Sequence, residues 1–463
     1  MTEPVKVAKV SARERVVVNV DGAAARWIGA LAVLSLFCWL VALLARNRDH
    51  PDWDPASRLG WSLTILTAVA LIARGIFLGR PVTAAHATAA LFVLVIGLGA
   101  HVLSFDLAGS VLIAGAAWVL TWPTTSRRRP DDLPRVWGLV NATRGDPLAP
   151  FAMHSLKSYH FNADSTAAIA YRTRIGFAVV SGDPLGDEGQ FPELVADFVA
   201  MCHSRGWRII VLACSERRKA LWLNDAVIGQ VMHCVPAGRD VVVDVRSFDM
   251  VGRKYRNLRQ AVSRTHNFGI TTEVIDEQAV EDAMQAELAQ VLYASHSGAH
   301  TERGFSMILD GALERRYPGI RLIIARDRCG RVQGFHRYAT ADGGKEVTLD
   351  VPWRRPGAPN GIDERLSVDM IGETKVAGGK HVSLAFAAFP DIFCNKHRNW
   401  AQELTYHAVH LLHSLIALES LYRYLRKFHA LGGRRYVLLS WRHVIPAAVV
   451  LLSLEFMPRR RHL

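Results

Sequence analysis

The chain has no CxxC pair, no glycine-rich phosphate loop and, between Asp249 and Glu273, no acidic side chain. Its six cysteines (Cys38, Cys202, Cys214, Cys234, Cys329 and Cys394) are scattered, which speaks against a disulfide framework or a zinc ribbon and suits a reduced, cytosolic setting. The glycine pairs Gly343-Gly344, Gly378-Gly379 and Gly432-Gly433 read as turns, so no loop of consecutive backbone N–H groups for a nucleotide phosphate is expected. His407, His410 and His413 step by three and fan out over about 120° of a helix surface. Helical metal pairs use the i, i+4 spacing, so no metal and no cofactor are expected.

What is present is hydrophobic sequence and positive charge. Half of the 463 residues are hydrophobic while 21% are charged, a balance that fits membrane spans joined to an ordinary soluble portion. The formal net charge of +13 favours nucleic acid or anionic lipid as a partner.

Four apolar stretches lie near the N-terminus: Trp27 to Ala45, Gly60 to Leu78 with Arg74 near one end, Val82 to Ser104, and Leu107 to Trp122. Each approaches the length that crosses a bilayer core of about 30 Å. Lys6, Lys9, Arg13, Arg15 and Arg26 precede the block, and Arg127, Arg128, Arg129 and Arg135 follow it. Both ends therefore read as cytoplasmic, and the first loop with Asp49, Asp52 and Asp54 reads as external. A cleaved signal peptide is the competing reading of the first stretch, but no small-residue cleavage site follows it. The organisation expected is a tail over 1–26, a membrane block over 27–122, a charged linker over 123–135, and two α/β segments over 136–250 and 269–463 joined by a basic helix over 251–268.

That helix carries the most informative pattern. In GRKYRNLRQAVSR (Gly252 to Arg264), helical periodicity puts Tyr255, Leu258 and Val262 on one face and Arg253, Arg256 and Arg264 on the other, with Lys254 and Arg259 adding charge. The apolar face is expected to pack and the arginine forks to meet phosphate oxygens. A solvated helix in a basic protein is the plainer alternative.

Around it, strands are expected at Thr166 to Tyr171, Gly176 to Ser181, Ile209 to Ala213, Val241 to Val245, Arg321 to Ala325, Val332 to Tyr338 and Lys345 to Leu349. Helices are expected at Phe191 to Ser204, Ala279 to Ser295 and Ile362 to Ala377. Two similar α/β (α+β) halves follow from this alternation.

GDPLG with Asp183, the GRKYRNLRQ helix, TERGFSM (Thr301 to Met307), PNGIDERL (Pro359 to Leu366) and LYRYLRKF (Leu421 to Phe428) occur in this order over about 300 residues. Together they resemble the catalytic domain of the bacterial phosphatidylglycerol lysyltransferases, the multiple peptide resistance factor family. The resemblance implies tandem GNAT-like acyltransferase folds after an N-terminal helical membrane block, moving an amino acid from aminoacyl-tRNA to the hydroxyl of an anionic membrane phospholipid. It departs from the family where Ile308 replaces a glycine, where AFAAFP (Ala385 to Pro390) stands for a glycine-methionine-alanine-proline motif, and where Leu425 replaces a lysine.

Such a transfer needs a base for the attacking hydroxyl and donors for the oxyanion. The resemblance puts forward Asp183, Glu364 and Lys427 as catalytic candidates and Asn360, Arg426, Asp350 and Glu302 as substrate-binding ones. Arg253, Lys254, Arg256, Arg259 and Arg264 are the candidates for tRNA or phosphate. The membrane block also offers a surface for homo-oligomers. An acyl-CoA-dependent acyltransferase and a non-catalytic membrane-anchored scaffold for RNA or lipid are the alternatives. The apolar run Val444 to Leu454, broken by Pro446, is too short to span and is expected to pack on the domain or rest on the bilayer. The charge asymmetry predicts that a reporter fused after Leu463 is active on the cytoplasmic side, and activity only outside the cell would reverse the topology.

Overall fold

The computed structural model describes residues 16–18, 23–46, 55–295, 301–303, 308–388 and 415–458. The chain divides into two compact units. The first holds the described residues up to Thr125 together with Thr173–Ala178 and Val199–Arg208, and the second holds the rest.

In the first unit, β1 (Val16–Val18) pairs with β2 (Val82–Thr83), and the helices are α1 (Ala23–Arg46), α2 (Pro55–Phe77), α3 (Ala84–Val102) and α4 (Asp106–Leu120). All four expected apolar stretches are helical. Among the described residues, only α3 is both long and apolar enough to cross a membrane, and Ser62–Phe77 and Asp106–Leu120 are shorter apolar runs. Helices α3 and α4 approach closely at glycine: a Cβ on Gly109 would collide with the His101 ring and with the carbonyl of Gly97. Such close approach brings the backbones of the two helices together.

The second unit is built on a twelve-stranded sheet. The strands are β3 (Ser158–Phe161), β4 (Ala167–Arg174), β5 (Phe177–Ser181), β6 (Leu185–Gly186), β7 (Arg208–Ser215), β8 (His233–Asp244), β9 (Thr271–Asp276), β11 (Ile320–Arg326), β12 (Val332–Ala341), β13 (Glu346–Arg354), β14 (His381–Ala388) and β15 (Leu431–Leu439), while β10 (Thr301–Arg303) pairs separately with β16 (Phe456–Pro458). The helices are α5 (Leu133–Ala142), α6 (Phe191–Ser204), α7 (Asp225–Ile228), α8 (Arg256–Asn267), α9 (Asp282–Ser295), α10 (Ile362–Val376), α11 (Leu415–Arg426) and α12 (Val444–Glu455). The order across the sheet is β3-β4-β5-β7-β15-β8-β14-β13-β12-β11-β9, with β6 on β4.

The two expected halves are thus one continuous sheet. The C-terminal strand β15 lies antiparallel between β7 and β8, and β8 in turn pairs with β14. Period-2 patterning identifies a strand but says nothing of its neighbour, and the partners of β15 lie about two hundred residues upstream.

Local sequence accounts for the elements. Strands β4 and β5 are almost wholly buried, as near-continuous apolar runs covered on both faces should be. On α8, Leu258, Ala261, Val262 and Thr265 are buried at helical spacing. Leu258, with Tyr255 just before the helix, belongs to a core that includes Val243, Ile323, Leu366, Met370 and Phe428. Helix α10 begins at Gly361, whose φ of 104° favours glycine. A side chain there would collide with the Ala261 carbonyl of α8. Gly361→Ala therefore combines backbone strain with a steric clash. A loss of about 2 kcal/mol or more is expected, seen as a lower unfolding midpoint for the full chain in detergent. An unchanged midpoint would mean that the two helices do not abut at this glycine.

Candidate active site

The basic helix, PNGIDERL and LYRYLRKF meet in the second unit. Gly361 sets the start of α10 against α8. Arg365 hydrogen-bonds the His266 ring and pairs with Asp369, which accepts from Thr272. At the other end of α8, His429 lies edge-on to Tyr255 at 5.6 Å, and its Nε2 is 3.0 Å from the Lys254 carbonyl. Tyr255, Phe248, Phe428 and Tyr424 continue the contact into α11.

Within this junction Glu364, in the first turn of α10, forms an ion pair with Lys427, just beyond α11. Glu364 is buried and Lys427 is about one-third exposed, so the pair sits at a boundary where a substrate can reach the cation. Its neighbour Asp363 accepts from His336 Nε2 at 3.2 Å and from Arg354 Nη1 at 3.4 Å. Burial opposes ionisation of Asp363. The His336 hydrogen bond and the charges of Arg354 and Lys427 prevail and hold its carboxyl below the usual range. The acidic first turn is also favoured by the partial positive charge of a helix N-terminus.

A chain of hydroxyls leads inward. His336 Nδ1 lies 3.5 Å from Tyr338 Oη, Tyr338 Oη is 3.3 Å from Ser367 Oγ, and Ser367 contacts Tyr424 Oη. Burial pushes both phenols up, so they act as neutral hydrogen-bond groups. The arrangement offers a buried carboxylate, a partly exposed ammonium and a hydroxyl network, the components of proton transfer beside an oxyanion.

Two other sequence candidates, Asp183 and Asp350, lie elsewhere. Asp183 accepts from the Ser215 backbone N–H at 2.9 Å and from Arg435 Nη1 at 3.4 Å. Asp146 and Asp240 share the same guanidinium, at 2.6 and 2.8 Å. Burial first, then the neighbouring Asp146 charge, pushes the Asp183 carboxyl up against the pull of Arg435. Burial likewise raises Asp240 to about 6. Asp350 is fully buried on Arg337 (2.9 Å), which also holds Glu277 (2.8 Å), and burial raises Asp350 to about 6. Asn360 and Arg426 are exposed beside α10 and on α11. Glu302 lies in β10, and its side chain is outside the described residues, as are residues 304–307, Pro390, His407, His410 and His413.

In the turn before α8 the side chains of Arg253 and Lys254 are exposed, as are those of Arg256 and Arg264 on the helix. Arg259 instead donates to the carbonyls of Met250 and Gly252 (2.8 Å to the latter), tying the preceding loop to the helix. Arg256, Arg259, Gln260, Ser263, Arg264 and Asn267 line an open concavity of about 570 Å³.

Sequence reasoning missed His336, Tyr338, Asp363, Ser367, Tyr424 and Arg435. Period 2 along β12 does place His336 and Tyr338 on one face, and Asp363 and Tyr424 lie inside motifs already singled out. Arg435 carries no local signal, because its three carboxylates come from three distant segments.

Residues 137–439 match the family described as phosphatidylglycerol lysyltransferase, C-terminal. The chain belongs to this family. It is 65% identical over 457 residues to the MprF-like domain protein Rv1619 of Mycobacterium tuberculosis, covering 99% of this chain and 94% of that protein. It is 29% identical over 299 residues to the lysylphosphatidylglycerol biosynthesis bifunctional protein LysX of Gordonia bronchialis, covering 63% of this chain and 26% of that relative. The solved structure of L-PGS from Bacillus licheniformis shares the fold, with a TM-score of 0.58, 19% identity, and 72% of this chain and 99% of that chain covered. A C-terminal DUF2156 domain from Agrobacterium fabrum gives 0.59 at 23% identity, covering 70% and 97%.

The Glu364–Lys427 pair can be measured directly. Lys427→Ala leaves a buried carboxylate without its cation, and Glu364→Gln removes the charge that needs one. A double-mutant cycle on unfolding should give a coupling of about 0.5–1.5 kcal/mol, kept small by the exposure of Lys427. Additive single effects would show that the pair does not interact in solution.

Proposed function

We propose that this chain is a multi-pass membrane enzyme with tandem GNAT-like folds, transferring an aminoacyl group from aminoacyl-tRNA to a hydroxyl of an anionic phospholipid such as phosphatidylglycerol. The observation that carries this reading is the junction itself. An exposed arginine face on α8 adjoins, through Gly361 and His429, the Glu364–Lys427 pair on α10 and beside α11. Membership of the phosphatidylglycerol lysyltransferase family and the name of the LysX relatives support the lipid product. The four N-terminal helices support a bilayer location, with the termini cytoplasmic.

In the proposed step the lipid hydroxyl oxygen attacks the aminoacyl carbonyl carbon, and the bond from that carbon to the ribose oxygen breaks. Glu364 accepts the hydroxyl proton, which ends on the ribose oxygen. Lys427 meets the transient oxyanion, and Asn360 and Arg426 lie beside the same helices to hold phosphate or carbonyl oxygens. One ester replaces another, so no energy source is consumed. Asp183 and Asp350 contribute from behind by fixing β15 and β13. Arg253, Lys254, Arg256 and Arg264 meet the tRNA backbone, with Arg259 holding their helix to its loop.

Lipids extracted from cells with and without the protein should differ by an aminoacylated species in mass spectra, and Lys427→Ala should lower its formation by about 10²-fold. No new species from the intact protein would assign it to a scaffold. Replacing Arg256 and Arg264 by glutamate should weaken tRNA binding and flatten the log–log salt dependence by roughly 0.7 to 0.9 per lost contact. The fold should survive, because Tyr255, Leu258 and Val262 still pack. An unchanged tRNA affinity and slope would remove α8 from the tRNA site.

A further inference from the structure

Helix α12 is apolar on two opposite faces, and only one of them is covered by protein. Ala447, Val450 and Leu454 are each 1% exposed. On the other side Ile445 is 76% exposed, Val449 54% and Leu452 42%, and with exposed Ala448 they make an unbroken apolar face at helical spacing. Trp441, about one turn ahead of Ile445, is also exposed, with its ring 5.6 Å from that of His233. Val231, just before Met232 and His233, is exposed as well, as are Leu223 and Val227 around α7.

The remaining exposed large hydrophobics among the described residues of the second unit are Val251, Phe268, Tyr293, Val376 and Leu431, and they stand singly. Single ones are ordinary on a protein surface, whereas a whole helix face is not. A helix that is apolar all round belongs where both faces leave water, in a protein core or in lipid.

Three observations select lipid. The apolar run Trp441–Leu454 is too short to cross a bilayer, so it lies along a surface. No acidic side chain occurs from Leu431 to Leu454, exposed Arg442 adjoins Trp441, and Arg459, Arg460 and Arg461 follow β16 in the chain. Cations flanking an apolar face with a tryptophan at its edge complement anionic headgroups and the interface beneath them. The chain also passes from α4 to α5 between Leu120 and Leu133, so the bilayer proposed for the N-terminal helices is within reach of the second unit.

We propose that the Ile445, Val449 and Leu452 face of α12, together with Trp441, docks on the anionic cytoplasmic surface of the bilayer, while Ala447, Val450 and Leu454 face protein. The docking rests on the bilayer location given above and is independent of the transfer chemistry. Helix α12 follows β15, which is fixed between β7 and β8, so this contact sets the tilt of the whole sheet against the membrane.

Photocrosslinking of the full chain in lipid nanodiscs reads the contact without tRNA or turnover. The photoreactive residue p-benzoylphenylalanine is placed at Ile445 or Val449, which are exposed and carry no core packing, and at exposed Tyr293 on α9 as the control. In discs of mixed phosphatidylglycerol and phosphatidylcholine, mass spectrometry should find lipid adducts at Ile445 and Val449 at least about tenfold above those at Tyr293. In discs of phosphatidylcholine alone the yield should fall about threefold or more, since each arginine near the surface favours anionic lipid. No lipid adduct at either position, or an equal one at Tyr293, overturns the proposal. A crosslink to a second copy assigns the face to a dimer, a crosslink back onto the same chain assigns it to the core, and either overturns it. Equal yield in the two kinds of disc overturns the anionic surface as the occupant. A chain that enters the discs without an adduct sinks the docking alone, and a lipid that is never aminoacylated in cells leaves the adducts unaffected, so the two readings fail separately.

Discussion

The guanidinium of Arg435 is the constraint on which the second unit depends. It sits fully buried on β15 and reaches Asp240 on β8, Asp183 after β5 and Asp146 after α5. A buried charge without partners costs several kcal/mol, so the C-terminal strand has one low-energy place to lie, between β7 and β8. With β15 there, the strands of the first and second segments become a single sheet. Three carboxylates share one cation, and burial raises Asp183 and Asp240. The cluster therefore works as a structural clasp in which carboxylates outnumber the cation.

The same sheet positions the candidate active site. β12 carries His336 and Tyr338 toward α10, while the intervening Arg337 points to Asp350 and Glu277 on the other face. One strand thus supplies both the hydroxyl network and its support. Helix α10 adds Asp363, Glu364 and Ser367, and its position is set by contact with α8 at Gly361. The exposed arginines of α8 are held in fixed relation to the Glu364–Lys427 pair because the two helices share a core. The proposed transfer needs such rigidity, since small displacements cost large factors in rate.

Much of this was legible in the sequence. Periodicity located the strands β4, β5, β7 and β11 to β13 and the helices α6, α8, α9 and α10 to within a few residues, because each is a local pattern with one or two buried faces. The split of α8 into buried Tyr255, Leu258 and Val262 and exposed Arg253, Arg256 and Arg264 was read correctly for the same reason. Strands β3, β6, β9, β14 and β15 of the sheet escaped notice. Strand β9 is only partly buried, and β15 opens with exposed glycine and arginine residues, so neither presents the apolar run that marks a core strand.

Family membership, the amphipathic basic helix and the apolar N-terminal stretches followed from residue order alone, since motif order and helical period are properties of the chain itself. Which carboxylate meets which cation did not. Asp183 stood beside Glu364 and Lys427 as an equal candidate in the sequence, yet it is the partner of Arg435, 252 residues away. Arg259 had the same composition-level standing as Arg256 but turns back onto its own loop. Those pairings arise from contacts between distant segments, and only the tertiary structure, by deciding which charges are buried together, decides which are left free to meet a substrate.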